Sequence, residues 1–270
     1  PDGNEEVKAY WTTGKVGMIG TSYNGTIPFA AATTGVEGLE AIIPVAPNTS
    51  YYHYYRSNGL VRSPGGYLGE DVDVLYDFVF SNPDNCAYCD SVVRDGEMAA
   101  GQDRVTGDYN EFWYKRDLMN YMKSYKAATL MAHAFNDWNV VPSHSFRFIE
   151  KLKEMGVPLQ IYYHQGSHGG EPPFKMMNRW FTRYLFGVEN GVENDPKAWI
   201  VREGAERLSP TAYPDYPNPD ARPVTLYLTG GAPEAGGLVI TKPAKQEKET
   251  LVDNYSFTGS ALAQAEYSNH

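Results

Sequence analysis

One short stretch constrains the fold more than any other, because a strand, a sharp turn and a helix follow one another without a break. The run Lys15-Val-Gly-Met-Ile-Gly20 is apolar and closed by glycine, which suits a buried parallel strand better than so short a helix. The chain must then turn at Ser22-Tyr-Asn-Gly25. Thr26-Ile-Pro-Phe-Ala-Ala-Ala32 follows, with its proline in a first helical turn and alanines carrying the helix on to Gly35. Leu39 to Ala46 reads as the next strand. The unit is a β-α-β crossover, right-handed by the general rule, and it commits the region to an α/β layer.

The same alternation returns further along. Residues 127–134 read as a strand, 142–155 as a helix, 158–164 as a strand and 173–186 as a helix, with Gly156 and Gly187 as stops. Phe146, Ile149, Leu152 and Lys153 mark the expected inner stripe of the first of these helices. Between the two α/β stretches the texture changes. Tyrosines crowd at 51, 52, 54 and 55, Gly and Pro cluster at 64–66, and helical patterns appear near 70–81 and 109–123. This is expected to be an inserted helical subdomain. After Gly187, prolines separate short strand-like runs such as 224–228 and 238–241, the texture of a separate β domain. The expected domains are therefore 1–47 and 127–190 as the two parts of the α/β core, 48–126 as the helical insertion, and 191–270 as the start of a β domain.

Three residues then stand out by order. Ser22 occupies the strand-to-helix turn where a nucleophile elbow lifts a serine hydroxyl above the sheet, although the usual G-x-S-x-G is only half matched, since Asn24 precedes Gly25. Asp137 lies just past the strand 127–134, and His168 just past the strand 158–164. Loops leaving the carboxyl ends of parallel strands meet over one sheet edge. The chemistry needs that meeting, because serine is a weak nucleophile until histidine takes its proton and a carboxylate fixes the histidine tautomer. Singly, Ser22 also reads as a helix N-cap, Asp137 as a cap and His168 as a loop histidine. The order Ser, Asp, His favours the catalytic reading of all three. His53, His133, His144, His164 and His270 suit core, cap or surface roles, and no metal-ligand or phosphate-loop pattern occurs.

With those residues in place, the chain resembles the bacterial X-prolyl dipeptidyl peptidases, serine α/β-hydrolases related to the cocaine esterase group. The resemblance rests on Lys15 to Thr26, Ala31 to Leu39, Tyr54 to Leu60 and Gly65 to Asp73, and it covers most of residues 8–190. The family's elbow, G-x-S-Y-x-G, accounts for the missing glycine. The resemblance implies an α/β-hydrolase core with an inserted helical lid and the start of a C-terminal jelly-roll β-sandwich. It implies Ser22 as nucleophile, Asp137 as orienting acid, His168 as general base and the Tyr23 amide as an oxyanion donor. Tyr51, where the family carries Trp, and Tyr54 would hold a proline ring, and Glu70 would bind the substrate's free ammonium. Read from the residues alone, the tyrosines suit plain packing and Glu70 a first-turn helix acid.

The activity implied is release of Xaa-Pro dipeptides from peptide N-termini through an acyl-enzyme, with no cofactor. Alternatives are an ester or β-lactam-acyl hydrolase of the same superfamily, which has no use for Glu70, and a non-catalytic interaction module. Fourteen residues precede Lys15, too few for the strands the family places ahead of its nucleophile, so the chain is expected to resemble the middle of a longer enzyme, its core incomplete on the N-terminal side. With 23 basic and 33 acidic residues the net charge is −10, which disfavours nucleic acid and anionic lipid as partners. Peptides with proline second are the expected partners, with a homo-oligomer open and a cytoplasmic location favoured. Cys86 and Cys89 are expected to be unpaired.

Overall fold

The computed structural model describes residues 3, 8–62, 71–79, 86–231, 236–246 and 248–250. They divide into two units, the first running to Tyr216 and the second from Pro217. In the first unit a sheet takes its strands in chain order: β1 (Val16–Thr21), β2 (Leu39–Val45), β3 (Ala128–Ala134), β4 (Leu159–His164), β5 (Ala198–Ile200) and β6 (Thr211–Tyr213). Strands β1 to β5 are parallel, and β6 returns antiparallel to β5. β5 and β6 fall inside the stretch expected to begin the β domain, so the sheet reaches further than its sequence pattern did. Its last strands are three residues each, too short to set up a period.

Helices cover both faces. α1 (Tyr23–Thr33) and α2 (Ser143–Met155) bury Phe29, Phe148, Ile149 and Leu152 against Ile42, Met131 and Ile161 of the sheet. α3 (Phe174–Phe186) covers the other face, packing Trp180 against Ala41, Ile43 and Leu130. Neighbouring residues such as Ile42 and Ile43 go to opposite faces, as the strand period requires. α3 comes so close to β1 that a β-carbon on Gly17 would stand 2.6 Å from the Phe181 ring. Both helices end on a left-handed glycine, Gly156 and Gly187, as expected. The inner face of α2 runs through Ser145 and Phe148 rather than through Lys153, whose ammonium reaches Asp215 at 2.9 Å.

The segment between β2 and β3 holds helical pieces at Tyr51–Tyr55, Val72–Val79 and Glu111–Tyr114, and also a short antiparallel pair, Arg56–Ser57 with Leu60–Val61, which the expected helical insertion did not include. The single helix expected near 109–123 is two. Asn110 caps the first, and the Asp117 side chain starts a 3₁₀ turn at Leu118–Ser124 by accepting from the Met119 amide. A small core of Tyr55, Val72, Phe112 and Trp113 holds this segment together. Beside it Asp71 is completely buried between Arg56, at 2.9 Å, and Arg104, at 3.1 Å. In the second unit two strands among the described residues pair antiparallel, Tyr227–Thr229 with Gly237–Val239.

Candidate active site

The turn after β1 carries a serine in a backbone conformation that serine avoids. Ser22 has φ 61° and ψ −125°, which costs a residue with a side chain about 1–3 kcal/mol. Three backbone bonds hold it there. Its amide donates to the Val45 carbonyl at 2.8 Å, and its carbonyl accepts from the amides of Gly25 and Thr26 at 2.8 and 2.9 Å. The glycines around it are demanded by space. A β-carbon on Gly20 would stand 2.1 Å from the Asn24 carbonyl oxygen, and one on Gly25 would stand 2.6 Å from that of Val45. The close approach of helix to sheet therefore falls at Gly25 rather than at position 24, which is why the usual motif is only half present. The Ser22 hydroxyl makes no capping bond to α1, so the N-cap reading does not describe this side chain.

Asp137 is 2 % exposed and held from two sides. Oδ1 accepts from the amides of Asn139 and Val140 at 3.0 and 2.9 Å, which folds the loop after β3 around the carboxylate. Oδ2 faces His168 Nδ1 at 2.7 Å and His133 Nε2 at 3.2 Å. Because a carboxylate only accepts, Nδ1 of His168 carries the proton, and a neutral ring keeps its Nε2 lone pair for a proton from elsewhere. The histidine loop is braced by a second histidine. His164 Nε2 donates to the Gly169 carbonyl at 2.9 Å and Nδ1 accepts from the Gly166 amide at 3.0 Å. A β-carbon on Gly170 would stand 2.3 Å from that same ring.

The loop also leans on the end of β1. The Thr21 hydroxyl donates to Glu171 at 3.2 Å, and a β-carbon on Gly169 would stand 3.6 Å from the Thr21 methyl group. His168 and Ser22 are thus flanked by residues in contact, at the carboxyl edge of the sheet, although no hydrogen bond joins the serine hydroxyl to the imidazole among the described residues. Such bonds are commonly loose before substrate binds. The Tyr23 amide, first in α1, donates to no protein acceptor among the described residues, and it lies at the positive end of the helix dipole.

Next to this turn lies an apolar cavity of about 270 Å³, lined by Tyr23, Tyr51, Val72, Leu75 and Met98 among others. Burial, with Tyr23 and Tyr54 nearby, raises the Tyr51 hydroxyl to about 12, so it stays a donor. Tyr54, the other tyrosine expected in the pocket, donates to Asn139 Oδ1 at 2.9 Å and sets its ring edge against His144. It therefore braces the loop of the acid. Glu70 lies outside the described residues. His133 and His164, read from sequence as core, cap or surface residues, are the neighbours of the candidate residues that reading missed; His133 is the last residue but one of β3 and His164 the last of β4.

Burial pushes the Asp137 carboxyl up, but its contacts with His133 and His168 outweigh this and hold it at about 2, below the ordinary 3.8. The folded value lies below the unfolded one. Its stabilisation, about 2 kcal/mol, is complete above roughly pH 4 and is lost as pH falls through 2. In urea unfolding between pH 6 and 2, the gap between the native protein and Asp137→Asn is expected to close over about the last two units. A gap constant down to pH 2 would show that the carboxylate charge contributes nothing.

A mostly parallel sheet with a left-handed serine at its first strand–helix turn, and an Asp–His pair on the loops of consecutive strands, has the layout of an α/β hydrolase. The chain belongs to the S15 family of X-Pro dipeptidyl-peptidases, whose model matches residues 6–170. It is 65% identical over its whole length to a protein of Rhodopirellula baltica provisionally named an Xaa-Pro dipeptidyl-peptidase, covering 44% of that protein. It is 38% identical, over 97% of its length, to the Xaa-Pro dipeptidyl-peptidase of Lacticaseibacillus rhamnosus, covering 32% of it. The chain thus spans less than half the length of these relatives. Among solved structures it is similar to a CocE/NonD family hydrolase from Staphylococcus aureus (TM-score 0.56, 17% identity, 81% of this chain and 37% of that one). An α-amino acid ester hydrolase is similar too (TM-score 0.53, 18% identity, 86% and 44%).

Proposed function

We propose that the full-length protein is a serine aminopeptidase that releases Xaa-Pro dipeptides from peptide N-termini. The observation that carries this reading is the 2.7 Å Asp137–His168 pair on the loop that leans against the end of β1, one residue from Ser22. Ser22 Oγ attacks the carbonyl carbon of the second residue while His168 Nε2 takes its proton. The oxyanion that forms is met by the Tyr23 amide. Collapse of the tetrahedral intermediate breaks the C–N bond, and the leaving amine takes the proton back from His168. Water then repeats the sequence on the acyl-serine and frees the dipeptide. Asp137 keeps the imidazole in its tautomer throughout.

The cavity beside Tyr23 and Tyr51 takes the proline ring in this reading, with Tyr54 at its side, and Glu70 binds the ammonium. A carboxylate at a fixed distance from the serine counts residues, so a dipeptide and nothing longer is removed. Residues 48–126 act as a lid over the site between the two core parts, 1–47 and 127–190, and the residues beyond Tyr216 begin a jelly-roll domain.

Fluorophosphonate labelling of Ser22, together with hydrolysis of an Ala-Pro anilide and of a neutral acyl ester, tests this function. Labelling at Ser22 with the ester turned over but not the anilide would leave a hydrolase and remove the peptidase. Glu70→Gln is expected to lower kcat/KM on the anilide about thirtyfold or more and to leave the ester nearly unchanged, since only the anilide brings an ammonium into a desolvated pocket. Equal loss on both substrates would make Glu70 structural.

A further inference from the structure

His133 is the last residue but one of β3 and is wholly buried, with no solvent to satisfy its ring. Its Nε2 is 2.7 Å from the Val140 carbonyl and 3.2 Å from Asp137 Oδ2. A carbonyl can only accept, so Nε2 carries a proton, and that N–H dipole faces both oxygens. On the far side of the ring, Nδ1 has no hydrogen-bond partner. A buried polar atom left unpaired is a cost that packing alone would avoid with phenylalanine or leucine. The imidazole is kept for what its other nitrogen does.

We infer that His133 is a positioning residue of the reaction, holding Asp137 in the orientation from which its Oδ2 meets His168. Two routes converge on the carboxylate. The direct one is the Nε2–H dipole at 3.2 Å from Oδ2. The indirect one runs through Val140, whose carbonyl is held by His133 while its amide donates to Asp137 Oδ1 at 2.9 Å. Together they fix both carboxylate oxygens, leaving one lone-pair direction of Oδ2 for the His168 N–H. Freed of His133, the carboxylate could rotate about its side-chain bonds and take the imidazole with it. A displacement that small matters only while a proton is in flight between Ser22 and His168. The loss therefore belongs in kcat and leaves substrate affinity alone.

This inference rests on the proposed triad, and its test separates the two. A glutamine at 133 places its amide nitrogen near the position of Nε2, whereas an asparagine places it near Nδ1, on the side with no partner. Both bury an amide, so folding losses are comparable. In the full-length protein, with Ser22 first shown to take a fluorophosphonate, His133→Gln is expected to keep kcat within about threefold. His133→Asn and His133→Phe are expected to lose about 10- to 100-fold in kcat, with KM within about twofold. The low-field proton resonance of the His168–Asp137 hydrogen bond should persist in the glutamine variant and shift or broaden in the asparagine variant. Equal losses in the glutamine and asparagine variants, or a loss carried by KM, would overturn the role of His133 while leaving the triad standing. A native protein that takes no label at Ser22 would overturn the triad and this inference with it.

Discussion

Ser22→Ala in the full-length protein is expected to lower kcat for an Ala-Pro anilide by about 10⁵- to 10⁶-fold, with KM nearly unchanged. The hydroxyl makes no capping bond, so its removal takes no ground-state interaction from the helix. In the proposed reaction, what is lost is the atom that forms the acyl bond. The residual rate, still above that in water, would come from the Tyr23 amide and from the binding pocket, which do not depend on the serine. Single-turnover measurement on purified variant, with the native protein's trace contamination excluded by fluorophosphonate, checks this. A kcat within tenfold of native would remove Ser22 from the chemistry.

Asp137→Asn should cost about 10⁴-fold in kcat, for a reason visible in the hydrogen bonds around the carboxylate. Its four neighbours, the amides of Asn139 and Val140 and the rings of His168 and His133, all present N–H groups. A carboxylate accepts from all of them. A carboxamide accepts on one oxygen only, so two donors must face its NH₂ group. If the oxygen stays with the backbone amides, the NH₂ meets His168 Nδ1 and drives its proton to Nε2, the tautomer that cannot deprotonate serine. If the amide flips, the loop loses both backbone bonds. The first arrangement predicts the loss of rate with the loop intact, whereas the second keeps the His168 tautomer and loses stability instead, so kcat and thermal denaturation measured together distinguish them. A kcat within tenfold of native in a variant as stable as the native protein would mean that another group orients His168.

Much of this candidate site is legible in the amino-acid sequence alone. Strand β1, its turn and α1 were visible because an apolar run closed by glycine and followed by alanines has few other solutions, and the order of Ser22, Asp137 and His168 followed from which strand each one trails. The partners of those residues were not. Nothing local marks His133 as the neighbour of Asp137 or His164 as the brace of the His168 loop, because a histidine ending a strand declares neither which way its ring turns nor which loop folds back on it. Gly25 illustrates a different limit. The motif looks for glycine at a fixed offset from serine, whereas the physical demand is set by how near α1 passes to the Val45 carbonyl, which only the packing of helix on sheet decides. Strands β5 and β6 escape a reading of the sequence because three residues carry no period, and their place in the sheet comes from pairing, β5 with β4 and β6 with β5, rather than from their own composition.

The left-handed serine has a meaning for descent as well as for chemistry. Any residue with a β-carbon is strained at that turn, and glycine alone is at ease there. Selection for folding by itself would favour glycine at position 22, and under the proposed role of Ser22 it is selection for turnover that opposes it. A gene copy released from that second demand gains stability by the exchange, so drift at this codon runs toward glycine. In a lineage of such chains, a glycine between the strand and its helix is therefore the mark of an ancestor that was an enzyme and a descendant that has ceased to be one.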